Sequence, residues 1–293
     1  MMTKTSLRFF IGRAGRSILA GLLLLAAAQT AWSQSPFRGL PVFEETPNPP
    51  PITSTVTITN PGTYVLARDV RVSSGDAIVI RASGVTLDLN GHQLATSATG
   101  MGRGVFVEGA TGVAIKNGRI GPFRSNIMIV NSVNVTVADL QIAGAGTGPL
   151  PDGPNEIGVQ IVNSRNVVVK DNSISSVNLG IFVRGGNAAG NRINDNTLTG
   201  GPMPAFNLFG ICYNPAATGG DGGPSGDLVY NNLITRFNWA IAISALSRWN
   251  VFRDNTLISF AGAFQEPQHL TTGGGTNVAD ENKEARIPAT VLP

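Results

Sequence analysis

Three aspartates, Asp139, Asp171 and Asp195, each close a short β-branched run, and the runs recur along the chain. If successive runs stack as parallel strands, these carboxyls lie about 5 Å apart, close enough to raise one another's pKa or to attract a cation. Two chemistries suit that spacing. Retaining glycosidases use carboxyls roughly 5–5.5 Å apart and inverting ones about 6.5–9.5 Å, so neighbouring or alternate runs nearly supply a pair. Lys170 and Arg192 lie beside the column. With them the group suits a polyuronide lyase, in which a cation or arginine neutralises the substrate carboxylate while Lys or Arg abstracts the adjacent proton. Calcium is the candidate cation, and no other cofactor is implied. The same residues also have a structural reading: an Asp at a strand end bonds the turn backbone, and interleaved acid and base neutralise each other at a solvated surface.

A second set lies on the preceding strand of each repeat. Phe106, Met128 and Phe182 face outward if the Ile and Val positions face inward, and such a stripe either stacks on sugar rings or is covered by neighbouring chain. Phe106, Phe182 and Arg184 are the candidate substrate-binding residues. No spaced His/Cys cluster marks a metal site: His92 lies in a turn and His269 in a polar tail. The single cysteine, Cys212, cannot form an internal disulfide and reads as a small buried hydrophobe.

The elements that must position these residues are repeats of a two-strand unit. Seven first strands start at Ala77, Gly104, Asn126, Gly158, Gly180, Gly210 and Ala240, separated by 27, 22, 32, 22, 30 and 30 residues. Each is followed by a second short strand, a turn and one apolar residue: Leu94, Ile120, Ile142, Ile174, Leu198, Ile234 or Leu257. Alternating β-branched residues make half-buried strands. Strands this short are stable only when successive units stack and bury one apolar column. Asn172, Asn196, Asn232 and Asn255 align next to the aspartate column, where stacked amides can hydrogen-bond along the stack. Insertions at 95–103, 143–157 and 199–209 follow the closing apolar residue and leave from one corner, where they could wall a groove; a Gly/Pro-rich one at 214–226 leaves from another.

Asn60-Pro-Gly-Thr-Tyr-Val-Leu66, the run Ile78-Val-Ile-Arg-Ala-Ser-Gly-Val-Thr-Leu-Asp-Leu-Asn-Gly-His-Gln-Leu94 and Asn166-Val-Val-Val-Lys-Asp-Asn-Ser-Ile174 resemble the right-handed parallel β-helix proteins of the pectate-lyase-like superfamily. The resemblance covers roughly 52–260. It implies an all-β solenoid of about seven to eight turns with an N-terminal cap. That superfamily holds polysaccharide lyases, glycoside hydrolases, uronan epimerases and non-catalytic repeat proteins, so fold does not settle activity. The Asp-Asp pair, Gly-His-Gly and Arg-Ile-Lys of polygalacturonases do not occur, nor does the Asp-Pro-His-Asp of alginate epimerases, and no clear Arg-x-Pro-x-x-Arg of pectate lyases is found.

The ends and the charge set the compartment and exclude one partner class. Residues 1–33 read as a secretory signal with a basic stretch to Arg16, an apolar run from Ile18 to Ala28 and a small-x-small site at Ala31-Trp32-Ser33. That run is too short to span a bilayer, which takes about twenty residues. Residues 34–51 form a proline-rich linker, 52–72 a cap on the column, and 261–293 a polar C-terminal cap or tail. The whole chain carries 21 Lys+Arg against 18 Asp+Glu, but four of the basic residues fall in the first sixteen, leaving 17 against 18. A near-neutral remainder is a poor nucleic-acid binder. The sequence therefore predicts a secreted or periplasmic, monomeric β-helix with an extended, acidic polysaccharide as partner. If it is an enzyme, it is a lyase or hydrolase; the alternative is a non-catalytic surface or periplasmic repeat protein.

Overall fold

The computed structural model describes residues 51–97, 101–146, 156–201, 208–214, 223–244, 246–265 and 277–286, and every regular element among them is a β-strand. The leader, most of the linker, the centres of the four insertions and His269 lie outside the described residues.

The repeating unit has three strands. One turn is Leu179–Arg184, then Arg192–Asn194, then Thr197–Thr199, and each pairs in parallel with its counterpart in the turns before and after. The single apolar residue that closes each unit in the sequence is the centre of this third strand. In a three-residue strand only the middle side chain points inward, so a run such as Thr197-Leu198-Thr199 offers no alternation to read. The result is a right-handed parallel β-helix, as the resemblance implied, with three faces where the repeat showed two strands per unit.

Three inward columns fill the interior. Ile78, Val105, Ile127, Val159, Ile181, Ile211 and Ile241 stack from the first strands. Leu87, Ile115, Val137, Val169, Ile193, Val229 and Phe252 stack from the second. Leu94, Ile120, Ile142, Ile174, Leu198, Ile234 and Leu257 come from the third. All are buried, and each contributes about 1.5–3 kcal/mol relative to exposure. Where the third strand turns into the next first strand the wall closes on itself: a Cβ on Gly180 would stand 2.3 Å from the Gly210 carbonyl oxygen and 2.6 Å from Leu198. That close approach excludes any side chain.

The segment 52–72 forms a full turn, with Val56–Ile58, Gly62–Val65 and Val70–Val72 paired onto the next. Past residue 260, Val278–Asp280 and Lys283–Arg286 pair onto Val251–Arg253 and Thr256–Gln265. Each face thus holds nine strands among the described residues, against the seven units counted from the first strands.

An amide ladder runs inside the corner between second and third strands. Asn172, Asn196, Asn232 and Asn255 are buried, and Oδ1 of each next member accepts both the backbone N–H and the side-chain Nδ2 of the one before, from Asn172 through Asn282, at 2.9–3.1 Å. Asn232→Ala removes the acceptor for the Asn196 amide and the Nδ2 donor to the Ile193 carbonyl. Leaving such buried groups unpaired costs about 2 kcal/mol, so the melting temperature of this variant is expected to fall by roughly 5 °C in a thermal scan.

Candidate functional site

The predicted acidic column occupies the same corner, on its outer side. Asn117, Asp139, Asp171, Asp195, Asn231 and Asp254 all have φ between 54° and 59°. A left-handed turn residue is costly for most side chains and cheapest, after Gly, for Asn and Asp. The backbone alone therefore accounts for the residue types in this column. Asp139, Asp171, Asp195 and Arg192 are exposed and Lys170 half-buried. The register brings them onto adjacent rungs: Ala138, Lys170 and Asn194 are partners, each just before its aspartate.

Three of these five side chains take part in hydrogen bonds at this corner. Lys170 Nζ donates to Asp171 Oδ2 at 2.9 Å. Asp195 accepts from Asn194 Nδ2 at 2.5 Å and from Asn231 Nδ2. The hydrogen bond and charge of Asp171, with Asp139 and Asp195 further off, push the Lys170 ammonium above its usual range. This shift keeps Lys170 protonated, the opposite of what a general base needs. Among the described residues no three His, Cys, Asp or Glu side chains converge as a metal site requires.

A cleft of about 690 Å³ lies elsewhere, on the outer face of the first strands. Its floor is the outward column in which Met128, Gln160, Phe182 and Cys212 are rung partners. Leu208 and Phe209 line it from the end of the 199–209 insertion, and Gly102 and Arg103 from the end of 95–103. Three arginines, Arg103, Arg124 and Arg184, and one carboxylate, Asp76, supply its charge. Arg103 is bound by Asp76 through two hydrogen bonds of 2.8 and 2.5 Å, and its guanidinium lies 3.5 Å over the Phe106 ring. Arg124 and Arg184 make no ion pair among the described residues. The cleft therefore joins an aromatic and thioether floor to two uncompensated guanidiniums, a surface suited to an anionic ligand with apolar faces.

Of the candidate binding residues, Phe182 and Arg184 line the cleft. Phe106 does not: it is 7% exposed because Arg103 lies over it. Asp139, Asp171, Asp195, Lys170 and Arg192 are not among the lining residues. Sequence reasoning missed Asp76, Arg103 and Arg124. Each stands at or just before the start of a first strand, beside an irregular connection, where no unit-to-unit alignment reaches. Cys212 is 8% exposed, and burial pushes its thiol up to about 12, far from a reactive thiolate.

Two further acids are buried. Glu156, at the end of the 143–157 insertion, accepts the Ala145 N–H at 2.9 Å through Oε2, and desolvation raises its pKa. Asp227 sits in a second amide ladder, at the corner between first and second strands, made with Asn191, Asn250 and Asn277. Burial there pushes its carboxyl up to about 6.

A family model for the right-handed β-helix region matches residues 54–222, and the chain belongs to that family. Its fold is that of the pectate-lyase-like proteins. A crystal structure of an alginate lyase from Paenibacillus sp. strain FPU-7 is similar with a TM-score of 0.57 at 16% identity, covering 78% of this chain and 86% of that one. The DFA-IIIase from Arthrobacter chlorophenolicus A6, solved with GF2, gives 0.51 at 12% identity over 79% and 63%. At these identities the likeness is one of fold. No curated protein sequence matches the chain.

Proposed function

We propose that this chain is an exported β-helix protein that engages an extended acidic polysaccharide on the outer face of its first strands. The observation that supports the reading most is the cleft in which Met128 and Phe182 lie between Arg124 and Arg184, with Phe209 one rung beyond, and in which neither arginine has an acidic partner among the described residues. Sugar rings present apolar faces that stack on aromatic side chains, and uronate carboxylates match the guanidinium fork. The export reading rests on residues 1–33, and no helix among the described residues is long and apolar enough to cross a membrane.

Catalysis is the first form of this reading; Asp139, Asp171, Asp195, Lys170 and Arg192, the group proposed for it, lie on the second strands and the corner after them, outside the cleft, so they act only on glycan that extends round to that corner. What favours that group is the placement of three carboxylates on adjacent rungs around one lysine. Non-catalytic binding is the alternative. Incubating the protein with polyuronides and neutral glycans, with and without calcium, separates them. Acidic glycans are expected to be retained and neutral ones not, with retention weakening as salt is raised. Unsaturated products identify a lyase and new reducing ends a hydrolase, whereas retention without product leaves the binding form. Retention of neutral glycans only, or of none, contradicts the whole reading.

A further inference from the structure

We propose that Arg124 and Arg184 hold the two ends of one ligand, so that the acidic chain crosses the first-strand face obliquely instead of running along the solenoid axis. The inference rests on the cleft being the glycan site and adds a direction and a minimum length. Arg124 immediately precedes Ser125, which pairs with Ile157, which in turn pairs with Leu179. Arg184 closes the strand that Leu179 opens. The two arginines are thus two rungs apart along the axis, roughly 10 Å, and six residues apart across the face, roughly 20 Å. Their backbone positions are therefore roughly 22 Å apart, along a line closer to the strands than to the axis.

What lies on that line fits one ligand. Met128, Gln160 and Phe182 are rung partners between the two arginines, and all three line the cleft. Arg103, the other cation, is held by Asp76, so among the described residues the unpaired charge sits at opposite corners of the apolar strip. A ligand complementary to that pattern carries carboxylates at both ends and ring faces between them. A mono- or diuronate is much shorter than this backbone span. An oligouronate of several residues reaches both guanidiniums, and its second contact forms at the high effective concentration set by the first.

The test is calorimetric titration of uronate oligomers of increasing length into the protein, Arg124→Ala and Arg184→Ala. Oligomers long enough to bridge the two arginines are expected to lose roughly tenfold or more in affinity with either substitution, since a hydrogen-bonded charge contact is worth about that factor. For a diuronate, either substitution is expected to change affinity by at most about twofold, because the other arginine still offers an equivalent contact. If the loss is the same at every length, the two arginines do not share a ligand, and this inference falls while the cleft reading stands. If no oligomer or polymer binds the unaltered protein, the cleft reading falls and takes the inference with it.

Discussion

Val169→Asp is expected to unfold the domain, whereas Val168→Asp, one residue earlier, is expected to leave it folded. Val169 is fully buried, stacked between Val137 and Ile193 in the second-strand column. A carboxylate there has no partner, and a buried unpaired charge costs several kcal/mol even after relaxation. That is comparable with the whole stability of a typical domain, about 5–15 kcal/mol. Val168 points the other way, between Thr136 and Arg192 on the outer surface. An aspartate there faces a guanidinium, and its effect is expected to stay within about 1 kcal/mol. Circular dichroism melts of the pair read the register directly, because a slip by one residue exchanges the two outcomes.

Asp227→Asn is expected to stabilise the protein at neutral pH. The ladder at this corner needs each member both to accept and to donate, as Asn250 does: its Oδ1 accepts the Asp227 N–H and its Nδ2 donates to Asn277 Oδ1. Asp227 accepts from the Asn191 backbone and side chain at 2.8–3.2 Å. As a carboxylate it has nothing to donate, and it is 1% exposed. Among the described residues the titratable neighbour acting on it is Tyr213, fully buried in the Val183 column, whose own pKa is driven well above 10, first by burial and then by Asp227.

Asp227 is raised from 3.8 to about 6, so the folded state binds this proton more tightly than the unfolded one. Its contribution to stability is present below about pH 4 and is lost as pH rises through about 6. Above that, the loss amounts to about 3 kcal/mol. Asn keeps the shape, adds the missing donor and has no charge to desolvate. The variant should melt roughly 5–10 °C above the unaltered protein at pH 7, with the gap closing toward pH 4. A gap that does not change with pH would mean that ionisation of Asp227 is not its source.

The inward columns were legible in the sequence because four or five alternating residues such as Gly180-Ile-Phe-Val-Arg184 admit one half-buried reading. The third strand was not, since Ser173-Ile-Ser175 and Thr197-Leu-Thr199 each show a single apolar residue. The Asn172 ladder could be aligned because it follows the second strand at fixed distance. The Asn191–Asp227–Asn250 ladder lies after connections of unequal length, and Asp227 directly follows the Gly/Pro-rich insertion, which hid it. Asp139, Asp171 and Asp195 were visible as a column, but sequence could not distinguish a catalytic choice from a left-handed turn, which asks for the same residues. Phe182 and Arg184 were found from strand alternation. Arg124 was not, because its place beside the cleft depends on which turns become neighbours.

The central claim is that acidic glycan binds between Arg124 and Arg184. Affinity electrophoresis through gels containing a polyuronide, compared with gels containing a neutral glucan, tests it most directly when run on the protein and on the double variant Arg124→Glu, Arg184→Glu. Retardation by the polyuronide alone, abolished in the double variant while its melting curve is unchanged, is the predicted result. Equal retardation of both proteins by the polyuronide would contradict the account.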